Sequence, residues 1–377
     1  MDFSLNDIQQ MMQDSAARFV QNEYDFETRR KLVDSELGYS QDNWKLFADL
    51  GWLALPIAEA YGGLDGTLVD IMVLQQELGK GLVVEPFFAT VLLAANLVQK
   101  LGSEEQKETI VGLVAAGESK LALAYAENGN AFDVTQIATT ATKTENGYQL
   151  NGHKAVALGA GSADQLLVVA RTAGESGQEE GISVFLVSPD QQGVSLRTYP
   201  TNDGHRAADV NLEEVQVGAE SLIGAEGQAF DAIKAVLNEA IVALAAEAVG
   251  VMDKLLAATT EYAKTREQFG QKIGRFQVLQ HRMADMFVEC EQSRSMLYFA
   301  ALQISEGSED SDRIAAMLKV KIGNSARFVG QQAVQLHGGM GITDELDVGH
   351  FFKRLTSINA QLGSRDFHLN RLITELA

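Results

Sequence analysis

The placement of proline constrains the fold of this 377-residue chain more than any other feature. All four prolines (Pro56, Pro86, Pro189 and Pro200) lie before residue 201, and a proline inside a helix removes a hydrogen bond and clashes with the preceding turn. Residues 201–377 are therefore free to form long helices. Apolar residues at helical spacing over 229–266 predict a helix of roughly 55 Å at 1.5 Å per residue. Further long helices are predicted near 276–306 and 310–337, and antiparallel helices of such lengths are typical of a four-helix bundle.

The period of the apolar residues divides the chain into three segments. The first contains runs such as VDIMVLQQELGKGL, with apolar residues three and four apart, which predict short helices. The second contains short β-branched or apolar runs such as GYQLNGHKAVAL and DQLLVVAR, separated by Gly, Asn and Asp, which predict strands. We therefore predict a mainly α fold with a central β domain: a helical domain at 1–118, a β domain at 119–226 and a four-helix bundle at 227–377.

Charge and cysteine content exclude several classes of partner and site. The net charge is −21, with 30 basic against 51 acidic residues, which argues against nucleic acid or an anionic membrane surface as a partner. Cys290 is the only cysteine, so no disulfide is expected, and no histidines have metal-ligand spacing. The N-terminus is polar and no stretch of about 18 uncharged apolar residues occurs. We expect a cytoplasmic protein with no bound metal and no membrane insertion.

The sequence GAGSAD at 159–164 follows a predicted strand and contains the glycine pair of a dinucleotide-binding loop. A third glycine is missing, and the next segment, QLLVVAR, is another predicted strand. A phosphate would therefore have no helix N-terminus to bind. We interpret GAGSAD as a hairpin turn.

Two later motifs each allow a structural and a functional interpretation. TREQFGQKIGRFQ (265–277) is rich in cations, with two phenylalanines and two glycines. Its charges could complement a helix end, or they could bind a phosphate while an aromatic ring shields a nucleotide. QLHGGMGITDE (335–345) could be a helix C-cap, for which one glycine suffices, or could allow a pyrophosphate to approach the backbone.

Together with GWLALPIAEAYGG (51–63), these two motifs flank a predicted β domain in an order that closely resembles the acyl-CoA dehydrogenase family. The resemblance covers residues 1–377. It implies an N-terminal helical domain, a β-barrel-like domain and a C-terminal four-helix bundle. It also implies an enzyme that uses flavin adenine dinucleotide (FAD) to introduce a 2,3 double bond into an acyl-CoA thioester. The expected electron acceptor is an electron-transfer flavoprotein.

The resemblance assigns the two later motifs a role in the neighbouring subunit. In the family, they hold the pyrophosphate and adenosine half of that subunit's FAD, so an oligomer is implied. The positions that match are Arg266, Gln268, Phe269, Phe276, Gln277, Gln335, Leu336, His337, Gly338 and Gly339.

The chain departs from the family at the positions of the catalytic base. The usual glutamate position falls on Leu362, and the alternate position on the first long bundle helix falls on Ala240, followed by Ile241. We therefore assign no catalytic residue. A carboxylate from elsewhere is the alternative, and the candidates are Glu239, Asp344 and Glu345.

The chain also departs from the family beside the flavin ring. In AENGNAFD and KAVAL, the residues that replace the family's Thr, Gly, Ser, Trp and Thr are Ala126, Ala131, Phe132, Val156 and Leu158. This pattern resembles small, partner-dependent subunits of the family, such as the pimeloyl-CoA dehydrogenase small-subunit type and paired steroid side-chain dehydrogenase subunits. We expect a dehydrogenase subunit that completes a partner's flavin site, either in a hetero-oligomer or in a homo-oligomer. The alternatives are a non-catalytic structural subunit and a self-sufficient dehydrogenase with a relocated base.

Overall fold

The computed structural model describes residues 5–129 and 132–376. Two π-helical segments, Phe88–Ala95 and Lys107–Val111, are continuous with neighbouring α-helices. The α-helices are α1 (Asp7–Asn22), α2 (Phe26–Asp34), α3 (Gln41–Asp49), α4 (Leu68–Gly81), α5 (Asn96–Leu101), α6 (Glu104–Gln106), α7 (Gly112–Ala115), α8 (Phe230–Thr265), α9 (Gln277–Ser305), α10 (Ser311–His337), α11 (Asp347–Ala360) and α12 (Arg365–Leu376).

The strands lie mainly between residues 121 and 223, where the sequence predicts them. They are β1 (Leu121–Ala124), β2 (Thr140–Thr144), β3 (Gly147–Leu158), β4 (Gln165–Arg171), β5 (Ile182–Val187), β6 (Val194–Pro200), β7 (Arg206–Gly218), β8 (Leu222–Ile223), β9 (Glu267–Gln268) and β10 (Gln271–Lys272). Strands β2 and β6 were not predicted from the sequence. Each is polar along much of its length and largely exposed or half-exposed, so neither has the apolar run by which β3 and β4 were recognised.

Strands β1–β8 form one sheet in the order β6-β7-β3-β2-β4-β5-β8, with β1 paired in parallel to β4. The turn predicted at GAGSAD is present, since Gly159 has φ +70° and a 3-10 turn follows at Ala160–Ser162. The hairpin interpretation was wrong, because β2 lies between β3 and β4 in the sheet. GAGSAD therefore connects strands that are not neighbours.

The chain forms two compact units, and neither is continuous in sequence. One consists of residues 1–31, 68–83 and 241–377, and the other of 32–67 and 84–240. These units combine residues from different predicted domains, so the three-domain division remains a prediction.

The unit that contains residues 241–377 is mainly helical. The observed α8, α9 and α10 match the predicted long helices to within one residue at every end. Helix α10 packs against α9, α11 and α12. Two glycines allow α4 to approach α8 closely: a Cβ on Gly79 would lie 2.4 Å from Glu247 O, and one on Gly250 would lie 1.9 Å from Gln76 O. Any larger residue at either position would force the two backbones apart. The predicted C-terminal helical bundle is confirmed.

The core of the other unit lies in its sheet. The β4 sequence QLLVVAR is buried from Leu166 to Arg171, and its apolar side chains pack against β1, β3, β5 and β7. A continuous apolar run is typical of a strand that is covered on both faces. The prediction of a central β domain within a mainly α chain is confirmed.

Helix α8 is long and apolar enough to cross a membrane by a length and hydropathy criterion that tolerates up to two charged residues. Its most apolar 18-residue window is 83% buried inside the protein. The core helix of a globular fold passes the same test. Burial therefore identifies α8 as a core helix.

A buried ion pair links α8 to α11. Arg354 donates from Nε to Glu247 Oε1 and from Nη2 to Glu247 Oε2, both at 2.6 Å. The two side chains are only 2% and 7% exposed. Because neither charge can reach water, each depends on the other for its solvation.

We predict that Arg354→Met will lower the free energy of unfolding by about 3–5 kcal/mol, because the Glu247 carboxylate would be left buried without its partner. Urea denaturation monitored by circular dichroism would measure the effect. The matched control is Arg197→Met, which breaks the ion pair with Asp209 at a side chain that is 80% exposed and should cost less than about 1 kcal/mol. Equal losses in the two variants would contradict the prediction.

Two titratable side chains are buried where α11 ends. Lys319 Nζ donates to Ile358 O at 2.6 Å and to Asn359 O at 3.3 Å, and burial lowers the pKa of Lys319 to about 7. His368 Nε2 lies 2.8 Å from Leu362 O, and burial lowers the pKa of His368 to about 4. The hydrogen bond to Leu362 opposes this shift, and the Lys319 and Arg371 charges add to it.

The pKa of His368 predicts a pH dependence of stability. In the unfolded chain a histidine binds a proton below about pH 6.5, whereas folded His368 resists protonation until about pH 4. The stabilisation is therefore complete above pH 6.5 and is lost as the pH falls through 4, amounting to about 3 kcal/mol. We expect His368→Gln to lose less stability than the wild type between pH 7 and pH 4.5 in urea titrations. Parallel losses would contradict the prediction.

Candidate functional site

The cationic corner at 265–277 is a small hairpin that follows the end of α8. Strands β9 and β10 are joined by Phe269 and Gly270, with φ of +54° and +75°. A two-residue turn with both φ values positive suits glycine but strains a bulky residue. Phe269 is 91% exposed, and its ring meets that of Phe276 edge to face at 6.1 Å between centroids. The hairpin thus holds an aromatic ring in solvent despite backbone strain.

No ion pair within the described residues neutralises the basic side chains of this corner. Arg266, Lys272 and Arg275 are all exposed, and none makes an ion pair with a carboxylate of residues 5–129 or 132–376. In a chain with net charge −21, three unpaired cations within ten residues are available to bind an anion.

The second motif adjoins the corner through stacked rings. Tyr262, one turn before the end of α8, stacks on His337 with 4.4 Å between ring centroids and 30° between planes. His337 Nδ1 donates to Ala333 O at 2.8 Å, because a carbonyl can only accept. The ends of α8 and α10, where the two motifs begin, are therefore in contact.

The glycines after α10 differ in what their missing side chains would meet. A Cβ on Gly341 would lie 2.8 Å from Val334 O, so internal packing explains that glycine. A Cβ on Gly338 or Gly339 would meet nothing within 4 Å. Gly338 has φ +60°, which favours glycine, but Gly339 has no comparable conformational or packing reason to be glycine. Its open face leaves room for a ligand to approach the backbone.

The ten positions assigned to the adenosine half of FAD are not equivalent. Leu336 and His337 are buried at 7% and 5% exposure, so a ligand outside can reach only their backbone. Phe276 is half-buried. The exposed positions are Arg266, Gln268, Phe269, Gln277, Gln335, Gly338 and Gly339. Their contact with FAD remains a prediction.

The loop at 126–133 is anchored by a buried carboxylate. Glu127 accepts hydrogen bonds from the backbone N–H of Ala138 and Thr139, from the Thr139 hydroxyl and from Lys154 Nζ at 2.5 Å. Burial lowers the pKa of Lys154 to about 8, and Glu127 opposes that shift. Ala126 and Phe132 flank this anchor, whereas Ala131 lies outside the described residues. Glu127 is therefore fixed by buried contacts beside the position where the resemblance implies a threonine and the chain has Ala126.

Val156 occupies a distorted part of β3. The pairing of β3 with β7 shifts register between Lys154 and Ala157, and Val156 has φ +54° with its side chain 49% exposed. A β-branched residue with positive φ is a marked outlier. A bulge of this kind turns a side chain out of the sheet. The backbone therefore exposes a valine side chain at the position where the resemblance implies a tryptophan.

The base positions hold no proton acceptor. Leu362, with φ +54°, precedes Gly363, with φ +97°, and the Leu362 side chain is partly exposed. Ala240 and Ile241 are buried at 1% and 3% exposure. The alkyl side chains at these positions cannot remove a proton from a substrate.

Two of the three alternative carboxylates are engaged in other contacts. Glu239 accepts from Asn96 Nδ2 at 2.6 Å and from Lys100 Nζ at 2.8 Å. Glu345 is exposed and makes no ion pair within the described part of the chain. Asp344 lies within 4 Å of cationic or titratable nitrogens of Arg30, His350 and Lys353.

Backbone strain coincides with the positions under discussion. The non-glycine residues with positive φ in the described chain are Asp65, Leu82, Val156, Glu214, Phe269 and Leu362. Three of them are apolar and at least partly exposed: Val156, Phe269 and Leu362. Such strain costs on the order of 1–3 kcal/mol per residue and concentrates at functional sites. These three are positions that the sequence resemblance assigns to the flavin ring, the adenosine and the base, respectively.

Sequence reasoning missed Lys319 and His368, the buried pair beneath residues 359–363. One signal was available for Lys319. It lies on the apolar stripe of α10 with Ala315, Ile322 and Ala326, where a lysine is rarely found unless its ammonium has partners. His368 gave no such signal, because it lies in the first turn of α12, directly after a loop, and not within a long apolar stripe.

Comparison with known proteins identifies the family of the chain. Family models for the acyl-CoA dehydrogenase N-terminal, middle and C-terminal domains match residues 6–118, 122–217 and 227–376. A short-chain-specific acyl-CoA dehydrogenase of Clostridium acetobutylicum is 30% identical over 353 residues, covering 92% of each chain.

Solved structures also resemble the chain along its whole length. Butyryl-CoA dehydrogenase from Megasphaera elsdenii has a TM-score of 0.90 at 28% identity, with all of both chains covered. A chain of the ChsE4-ChsE5 complex from Mycobacterium tuberculosis has a TM-score of 0.90 at 26% identity, covering 100% of this chain and 99% of that one. The chain therefore belongs to the acyl-CoA dehydrogenase family of FAD-dependent oxidoreductases.

Proposed function

We propose that this chain is a subunit of an acyl-CoA dehydrogenase, introduces a 2,3 double bond into an acyl-CoA thioester, and completes the flavin site of a partner subunit. One contrast carries the proposal. The cationic corner is exposed and keeps its anion-binding residues, whereas the chain's own base positions are Leu362 and Ala240.

The corner fits the adenosine and pyrophosphate half of FAD. The Arg266 guanidinium is unpaired in the described chain, and a guanidinium binds phosphate through two parallel hydrogen bonds. Phe269 offers an exposed ring face for a nucleotide base, and Gly339 leaves its backbone open. Since nothing in the described chain occupies these groups, a ligand held jointly with another subunit accounts for them.

The ring half of the site is a poorer fit. When bound, FAD accepts the hydride from the substrate β-carbon, and the protein must supply the base at the α-carbon. Ala126 and Leu158 offer no hydroxyl to the ring, and Leu362 cannot accept the α-proton. This chain is therefore proposed to act on substrate only together with a partner that carries the base.

The partner we propose is a homologous acyl-CoA dehydrogenase subunit, with electron-transfer flavoprotein as acceptor and the cytoplasm as location. The resemblance to the ChsE4-ChsE5 complex supports a hetero-oligomer. A homo-oligomer is the other arrangement in which the corner of one copy reaches a flavin in the next. The buried thiol of the lone Cys290 is consistent with a reducing compartment.

A second candidate is a self-sufficient dehydrogenase with a relocated base. Glu345 favours it, because its carboxylate is exposed and makes no ion pair within the described residues. Glu239 and Asp344 are weaker candidates, since their carboxylates already contact cationic side chains. A purely structural role for the subunit would instead leave it without any turnover of its own.

We predict that Arg266→Ala will weaken FAD binding by about 1.5–3 kcal/mol, because a charge-assisted hydrogen bond to a phosphate is lost. Flavin absorbance per chain in the purified oligomer would measure the loss after dialysis. The control is Arg313→Ala, an exposed arginine near the other end of α10, which should retain its flavin. Equal retention of FAD by both variants would refute the proposed contact between Arg266 and the FAD pyrophosphate.

We also predict that the chain expressed alone will turn over acyl-CoA slowly or not at all, since a positioned base contributes about 10²–10⁴-fold in rate. Leu362→Glu in the isolated chain should restore little activity, because the ring contacts are also missing. Co-expression with a homologue that carries the glutamate should give flavin-loaded, active complex. A normal rate for the unmodified chain alone, abolished by Glu345→Gln, would establish the self-sufficient alternative instead.

A further inference from the structure

We propose that His368 and Lys319 are positioning residues that hold the backbone of residues 359–363 from inside the protein. The loop thereby presents the N–H groups of Leu362 and Gly363 to a carbonyl oxygen of the bound acyl thioester. This inference rests on the proposed function and extends it to two side chains that the family resemblance did not assign.

The loop needs to be held because its backbone is strained. Leu362 and Gly363 are consecutive residues with φ of +54° and +97°. For leucine the left-handed conformation is unfavourable, and such a residue persists only where its surroundings fix it. A contact that fixes the Leu362 backbone is therefore required.

His368 makes that contact. Its Nε2 lies 2.8 Å from Leu362 O, and because the carbonyl can only accept, Nε2 carries the proton. The side chain is 2% exposed, and its Nδ1 has no hydrogen-bond partner in the described chain. Burial lowers the pKa of His368 to about 4, so the neutral tautomer that makes this bond is maintained at neutral pH.

Gly363 makes the approach of the histidine possible. A Cβ at this position would lie 2.4 Å from His368 Nε2 and 2.8 Å from Phe367 Cδ1. Both distances are shorter than real Cβ contacts, and the φ of +97° is also unfavourable for any other residue. Gly363 is therefore needed for the hydrogen bond between His368 and Leu362.

Lys319 fixes the other end of the loop. Helix α11 ends at Ala360, and the last carbonyls of a helix lack partners within it. The Lys319 ammonium donates to two of them, on Ile358 and Asn359. Lys319 makes no ion pair with any described carboxylate. It therefore caps a helix end, where a cation is favoured by the helix dipole.

These contacts leave the loop with free donors. The carbonyls of Ile358, Asn359 and Leu362 accept from buried side chains, whereas the N–H groups of Leu362 and Gly363 make no hydrogen bond to the described residues. Fixed backbone N–H groups stabilise an oxygen that gains negative charge during a reaction. A thioester carbonyl is such an oxygen.

The test compares His368→Gln with His368→Leu. The glutamine amide can still donate a hydrogen bond to Leu362 O, whereas leucine fills the buried space but has no donor. Hydrogen exchange of residues 359–364, followed by mass spectrometry on the purified oligomer, should be at least tenfold faster in His368→Leu and near wild type in His368→Gln. Acetoacetyl-CoA should bind at least tenfold more weakly to His368→Leu than to wild type. S-ethyl-CoA, a thioether without the carbonyl, should bind equally to both.

Each outcome bears on one of the two proposals. Unchanged exchange in His368→Leu would overturn the positioning role, as would an equal loss of affinity for both CoA compounds. If the wild-type oligomer binds neither compound, the proposed function fails. The exchange measurement still tests whether His368 holds residues 359–363. If His368→Leu does not fold, Lys319→Met takes its place. Faster exchange confined to residues 359–364 then supports the positioning role. Unchanged exchange in Lys319→Met would overturn it.

Discussion

The helical unit depends on the close approach of α4 to α8. Gly79 lies against the backbone carbonyl of Glu247, and Gly250 lies against that of Gln76, so backbone meets backbone at two points. At the same point on α8, the Glu247 side chain turns to Arg354 of α11 and forms a buried bidentate ion pair. One residue thus joins three helices, and the glycines make that geometry possible because any Cβ would separate the helices.

Backbone strain in the described residues occurs at three positions to which the resemblance assigns a functional role. Val156, Phe269 and Leu362 adopt left-handed backbone conformations that their side chains disfavour, and each is at least partly exposed. Their strain is therefore not offset by burying those side chains. At two of these positions, Val156 and Leu362, the resemblance implies a tryptophan and a glutamate, and the chain has an alkyl side chain at each.

Two kinds of charge serve different purposes. Buried charges are paired or capped: Glu127 with Lys154, Glu247 with Arg354, and Lys319 with the carbonyls that end α11. The exposed cations of the corner have no such partners within the described chain. Burying a charge without a partner costs free energy because the charge loses its hydration, whereas an exposed charge remains hydrated and needs no partner. The unpaired cations are therefore the charges of the described chain that remain available to an anionic ligand or to another subunit, as the proposed function requires.

The sequence by itself determined the long helices, the change of period at the β domain and the two motifs for which we predict contact with adenosine. Each of these depends on local spacing: proline absent after Pro200, apolar residues three and four apart, and cations next to glycines. Tertiary structure alone decided the insertion of β2 between β3 and β4, the contacts that occupy Glu239 and Asp344, and the burial of Lys319 and His368 beneath Leu362. These features arise from residues far apart in sequence, and no local pattern specifies which side chain will meet a given backbone carbonyl.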